Sequence, residues 1–201
     1  MKIVYLVLAG LALVSITFFV FHQKSADYPV PTVGTNIIVF GDSLAFSQGS
    51  TENHDLASLL SQKLGLPVIN SGVSGDTTVS AAPRVPADVL AHDPKIVIIL
   101  LGGNDFFHQI PPAQTMTALR SIVESIQAKG AGIILINENK SFATADMFEA
   151  LAKEKNIPYM ENIMGGIINR RELMSDAIHP NDAGYEIMAE KITLVIEDYL
   201  K

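Results

Sequence analysis

The sequence predicts an α/β domain, a three-layer sandwich around a five-stranded parallel sheet. Three observations carry that expectation. Short apolar runs alternate with helix-period segments from about residue 36 to the end of the chain. The most apolar run, KIVIILL at 95–101, is uninterrupted, as a central strand covered on both faces requires. Stretches rich in Gly, Asp, Ser and Asn follow the strands, where ligands of such sheets bind.

The elements follow in order. IIVF at 37–40 is the first strand, and GDS at 41–43 breaks it. Leu56, Leu59, Leu60 and Leu64 share one face of a helix over 55–64, which Gly65 and Pro67 end. PVINSG at 67–72 is a second strand running into a loop, and 95–101 is the third. Met116, Leu119, Ile122, Val123 and Ile126 mark the next helix, closed by Gly130. GIILIN at 132–137 is another buried strand, residues 145–155 are helical, and IPYM at 157–160 is the last strand. Residues 182–199 form a closing helix capped by Asn181, with Ile187, Met188, Ile192, Val195 and Ile196 toward the core.

A chain of 201 residues suits one such domain with a sizeable core. The absence of cysteine removes disulfides, thiolate metal sites and a cysteine nucleophile together. A formal charge of -7, with no basic cluster beyond Arg170 and Arg171, argues against nucleic acid as a partner.

Residues 3–21 carry no charged side chain and as a helix reach nearly across a bilayer core. Residues 1–24 therefore read as a transmembrane anchor or as a signal peptide. The length of the run and its bulky end at Phe18–Phe21 favour the anchor, since only a poor cleavage site stands near Ser25 and Ala26. Residues 25–35, with Pro29, Pro31 and Gly34, read as a linker, and 36–201 as the catalytic domain. The expected location is the inner membrane of a bacterial cell facing the periplasm, or the periplasm or exterior if the segment is cleaved.

Four segments contain the residue types of acyl transfer. Ser43 follows the first strand through Gly41 and Asp42, a position that can present its hydroxyl. His179, in DAIHP at 176–180, is suited to take the Ser43 proton and return it to a leaving group. Asp176, three residues earlier, is suited to orient the imidazole. Asn104, in LGGND at 101–105, brings an uncharged amide donor for a developing oxyanion. In NSGVSGDT at 70–77, Gly72 has a backbone N–H for the same oxyanion, while Gly75 serves the turn and Asp76 and Thr77 bond within the loop. Taken singly each has a plainer reading: a turn or cap for Ser43 and Asp176, a surface imidazole for His179, an Asn-Asp turn for Asn104. Their common order and topology argue against four coincidences.

GDS, SGVSG, GGND and DAIHP, in that order, resemble the four signature blocks of the SGNH hydrolases, also called GDSL-type lipases and esterases. The resemblance covers residues 36–200. It implies a flavodoxin-like sheet, Ser43 as nucleophile, His179 as base and Asp176 as the acid of a triad. It further implies an oxyanion hole made of the Ser43 N–H, the Gly72 N–H and the Asn104 side chain. LLGGNDFF followed by IPPAQT, with QAKGAGIILI and IHPNDAGYEIMAE, is similar to the branch of bacterial multifunctional arylesterases, acyl-CoA thioesterases and lysophospholipases. That branch implies a small-molecule or lipid ester substrate, with aryl or short-to-medium acyl groups and with thioesters and lysophospholipids in range. It implies an acyl-enzyme and no metal or organic cofactor.

After the strand at 132–137, NENKSFATADMFEAL departs from the branch's usual loop, which shapes the acyl pocket. Asp42 and Asp105 are expected to organise their own loops, and Phe106 and Phe107 to line the acyl site or pack in the core. A carbohydrate O-acetyl esterase of the same superfamily and a non-catalytic binding protein are the alternatives. A nucleotide-binding protein needs a phosphate-cradling loop after the first strand, and FGDSLAF does not resemble one.

Overall fold

The strands β1 (Asn36–Gly41), β2 (Val68–Gly72), β3 (Pro94–Leu100), β4 (Gly132–Ile136) and β5 (Tyr159–Met160) pair in parallel in the order β2-β1-β3-β4-β5. The computed structural model describes residues 28–139, 142 and 144–200. The expected five-stranded parallel sheet is present. The strands are apolar and rich in Ile and Val, which suits a pleated surface covered on both sides.

Helices α1 (Ser43–Phe46), α2 (Leu56–Leu64), α3 (Thr78–Ala81), α4 (Val85–Asp88), α5 (Gly103–Phe107), α6 (Pro112–Gln127), α7 (Ala145–Lys155) and α8 (Asp182–Tyr199) connect the strands and cover them. Side chains alternate across the pleat with period two. Ile37, Val39, Ile96 and Ile98 face a core shared with Leu56, Leu60, Met188 and Ile192 of α2 and α8. Ile38, Phe40, Val97 and Ile99 face the other core, shared with Leu119, Ile122, Phe148 and Leu151 of α6 and α7. Full burial of each such side chain is worth roughly 1.5–3 kcal/mol of transfer free energy, which locks the register of β1 against β3. Asp55 caps α2 by accepting the Ser58 N–H at 3.1 Å, and Asn181 caps α8 by accepting the Gly184 N–H at 3.2 Å.

Two stretches differ from the sequence pattern. Residues 78–92, left without an element by periodicity, form α3, α4 and the 3₁₀ turns Ala82–Arg84 and Leu90–His92. Pro83 and Pro86 keep these pieces short, because a proline removes an N–H from the helix ladder. The last strand contracts to Tyr159–Met160. Pro158 offers only its carbonyl, which accepts the Leu135 N–H at 2.9 Å.

Residues 1–24, expected as an anchor or signal peptide, and residues 25–27 of the expected linker lie outside the described residues. Of the remainder of that segment, Tyr28 and Pro29 rest on α8. The Tyr28 and Tyr199 rings meet edge-on at 6.2 Å, and the Tyr199 hydroxyl donates to the Pro29 carbonyl at 3.1 Å. The expected inner-membrane-anchored location is corrected. Among the described residues no helix is long and apolar enough to cross a membrane. Even α8, 18 residues long, keeps Glu190, Glu197 and Asp198 exposed, so it covers a sheet face rather than entering a bilayer.

Candidate active site

All the residues singled out by the sequence lie on segments beyond, or at, the carboxyl ends of strands or in the loop before α8. β1 ends at Gly41, and Asp42 caps α1 by accepting the Leu44 N–H at 3.0 Å. Ser43 is thereby the first helical residue.

The loop before α8 is equally constrained. Met174 and Pro180 form an antiparallel bridge. The Ser175 N–H and hydroxyl donate to the His179 carbonyl at 2.9 and 3.0 Å. Asp176 Oδ1 accepts the backbone N–H groups of Ile178 and His179, both at 2.8 Å. Its Oδ2 lies 2.7 Å from His179 Nδ1. A carboxylate only accepts, so Nδ1 carries the hydrogen and Nε2 presents its lone pair. Nε2 is 3.0 Å from Ser43 Oγ, across 136 positions of sequence. The hydrogen bond from His179, followed by the Ile178 N–H, holds the Asp176 carboxyl down at about 2. His179 is 7% exposed.

Asn104 sits in the first turn of α5. Its Nδ2 donates to the Asp76 carbonyl at 2.9 Å and to Asp42 Oδ2 at 3.3 Å. Asp76 is itself held by Arg84 Nε at 2.8 Å and by the Ser80 hydroxyl at 2.8 Å. Buried Asp105 accepts the Thr78 N–H at 2.8 Å and the Thr115 hydroxyl at 2.9 Å, which joins α5 to α3 and α6. Asp42 thus acts within its own loop and between segments, whereas the Asp105 side chain acts between segments and not, as expected, within its own loop.

Gly72 pairs with Gly41 at the end of β1, but its N–H is already engaged. Its N–H is donated to Asn70 Oδ1 at 2.9 Å. A Cβ there would lie 2.1 Å from the Phe46 nitrogen, so this glycine lets α1 pack onto the end of β2. Gly75, at φ +87°, precedes the Asp76 whose carbonyl binds Asn104, and its N–H has no acceptor among the described residues.

Ser43 and His179 open into a pocket of about 90 Å³, walled by Leu44, Phe107, Met164 and Ile168. Phe106 and Phe107 are 43% and 53% exposed and therefore form a rim, not core. Their rings pack with Phe142 at 4.8 and 5.8 Å.

Sequence reading missed Glu138. It follows β4, is only 7% exposed and lines the same pocket. Its carboxyl is hydrogen-bonded to that of Asp42. The available signal was an acidic residue set directly after a fully buried strand. Burial raises both groups, Asp42 to about 6 and Glu138 well above its ordinary value; the Asp42 charge and hydrogen bond raise Glu138 further, whereas the hydrogen bond from Glu138 holds Asp42 down. Folded-state values above the unfolded ones give stability that is complete below about pH 4 and is lost as pH rises through the folded values. The melting temperature is therefore expected to fall as pH rises through about 6, in thermal unfolding followed by circular dichroism. A melting temperature that rises across that interval would contradict this origin. Asp176 works in the opposite sense, losing its contribution as pH falls toward about 2, but it is half exposed and solvent screens it.

The GDSL-like Lipase/Acylhydrolase family matches residues 39–187 of the chain. The chain is 29% identical over 167 residues to Thioesterase 1/protease 1/lysophospholipase L1 of Escherichia coli strain K12, covering 77% of this chain and 79% of that protein. It is 27% identical over 178 residues to an arylesterase of Vibrio mimicus, covering 82% and 89%. Among solved structures, the psychrotrophic esterase EstA from Pseudoalteromonas sp., inhibited by monoethylphosphonate, superposes with a TM-score of 0.74 at 26% identity. That match covers 83% of this chain and 98% of the esterase.

Proposed function

Since the chain belongs to the GDSL-like lipase/acylhydrolase family and cleaves esters by serine-hydrolase chemistry, we propose that Ser43 is its nucleophile, His179 its general base and Asp176 the acid that orients the base. The observation that carries these assignments is the continuous line Asp176 Oδ2, His179 Nδ1, His179 Nε2, Ser43 Oγ, with steps of 2.7 and 3.0 Å.

Ser43 Oγ attacks the carbonyl carbon of the ester as its proton passes to His179 Nε2. The negative charge collects on the former carbonyl oxygen. The Ser43 N–H and the Asn104 N–H that faces Asp42 at 3.3 Å receive it, the latter shared between Asp42 and the oxyanion. The Gly72 N–H is committed to Asn70, so Gly75 supplies the further backbone donor of this reading, from the turn that Asn104 anchors. The ester C–O bond then breaks, and the leaving alcohol takes the proton from His179. Water attacks the acyl-enzyme, gives its proton to His179 and releases the acid, and Ser43 regains its hydroxyl.

The pocket supports a short-to-medium acyl group. At about 90 Å³ it is small, and its walls are aliphatic and aromatic. The exposed Phe106 and Phe107 rim gives an aryl leaving group or the remainder of a longer chain an apolar surface. We expect kcat/KM for p-nitrophenyl esters to peak between acetyl and hexanoyl and to decline toward palmitoyl. A monotonic rise to palmitoyl would sink the short-acyl reading. Incubation with a fluorophosphonate is expected to leave one adduct, located on Ser43 by peptide mass spectrometry. An adduct on another serine would reassign the nucleophile.

A further inference from the structure

Glu138 takes no part in the chemistry above, yet it is buried beside it. Its Oε1 finds no N–H or hydroxyl donor among the described residues. Its other oxygen packs against Gly103, where a Cβ would lie 2.0 Å from Oε2, and it accepts the Gly103 N–H. The second glycine of LGGND is therefore the space that the Glu138 carboxyl occupies. The group that the Glu138 carboxyl meets is the Asp42 carboxyl. Two buried carboxyls in contact are stable when they share one proton, because an ionised pair in a dry site repels strongly.

The proton belongs to Glu138. Asp42 already accepts the Leu44 N–H on Oδ1 and the Asn104 amide on Oδ2, and both bonds favour its charged form. A carboxylate has room for a third donor, and a protonated Glu138 supplies one. We propose that Glu138 is a positioning residue for ester cleavage: as a neutral acid it donates to Asp42, and through Asp42 it holds both Ser43 at the start of α1 and the Asn104 amide in place. This rests on the assignment of Ser43 as nucleophile. It gives a physical reason for an acidic residue after β4 and for the glycine opposite it. The upward displacement of both carboxyl groups is in line with the shared proton.

Loss of that proton leaves two carboxylates in contact and pushes Asp42 away from Ser43 and Asn104. The pair is faced by His179 from the loop before α8, by Tyr185 of α8, by Asp105 of α5, and by Asp76 after β2, which is neutralised by Arg84. All of these stay in place when only Glu138 is changed, so a difference between variants reports Glu138.

The test is the pH dependence of kcat for p-nitrophenyl butyrate hydrolysis by the full chain. The wild type is expected to lose kcat on the alkaline side as Glu138 gives up its proton. Glu138→Gln keeps a donor for Asp42 and an acceptor for the Gly103 N–H. It is expected to hold kcat within about threefold of wild type at neutral pH and to lack the alkaline loss. Glu138→Ala is expected to lower kcat about tenfold while KM stays within about twofold. An alkaline loss in Glu138→Gln that matches wild type overturns the proposal, and so does a Glu138→Ala enzyme with wild-type kcat. Should Glu138→Ala fail to fold, the Glu138→Gln profile alone decides. Full turnover by Ser43→Ala sinks the assignment of the nucleophile. An inactive Ser43→Ala together with wild-type behaviour of both Glu138 variants sinks only the role of Glu138.

Discussion

Ser43→Ala is expected to reduce hydrolysis of p-nitrophenyl acetate to near the background rate, a fall of roughly 10⁴-fold or more in kcat. The size of the effect follows from the arrangement. Among the described residues, only Ser43 Oγ stands 3.0 Å from an imidazole nitrogen that is itself held by a carboxylate. Removing the hydroxyl removes the bond-forming atom and leaves His179 with nothing to deprotonate but water. Folding is expected to be retained, because Asp42 and not Ser43 caps α1. Circular dichroism spectra that superimpose on wild type check that point. The effect is also expected to be non-additive. His179→Ala in the Ser43→Ala background adds little, since the two side chains act as one unit. Turnover in Ser43→Ala within about tenfold of wild type would remove Ser43 from the mechanism.

Asn104→Ala is expected to lower kcat by about 10²–10³-fold with a much smaller change in KM. The amide binds little of the ground-state ester, and its contribution grows as charge moves onto the carbonyl oxygen. Asn104 also ties the Asp76 carbonyl and the Asp42 carboxylate to α5, so some loss of stability accompanies the change. The division between KM and kcat separates the two effects. A rise in KM at constant kcat would mean that Asn104 binds substrate uniformly and does not stabilise the oxyanion.

The sheet was legible because its signal is one-dimensional. KIVIILL and GIILI are buried on both faces, and continuous apolar runs leave few other options. The strands and the closing helix with its Asn181 cap lie close to where periodicity put them. The segment 78–92 was not legible, because one-turn pieces interrupted by Pro83 and Pro86 have no period to read. The contrast between Gly72 and Gly75 was not legible either. The two glycines look alike in sequence, and only the position of α1 against β2 shows that one of them is needed for packing.

The proposed triad had a clear signature because Ser43, Asp176 and His179 stand in short segments whose residue types have few joint uses. Glu138 had none, because its significance depends on a partner 96 positions away and on the loss of solvent around both groups. By itself, then, the sequence determined the layered fold and, through its four family-like blocks, the ester-cleaving chemistry, and it nominated Ser43 and His179 as the nucleophile and base proposed above. Those follow from local patterns of apolarity and from chemically rare combinations of residues. The tertiary structure decided which backbone N–H groups are free, which aspartates bridge segments, and that a second buried carboxyl stands behind Ser43. Those are matters of distance, burial and competition for hydrogen bonds, and they exist only once remote segments meet.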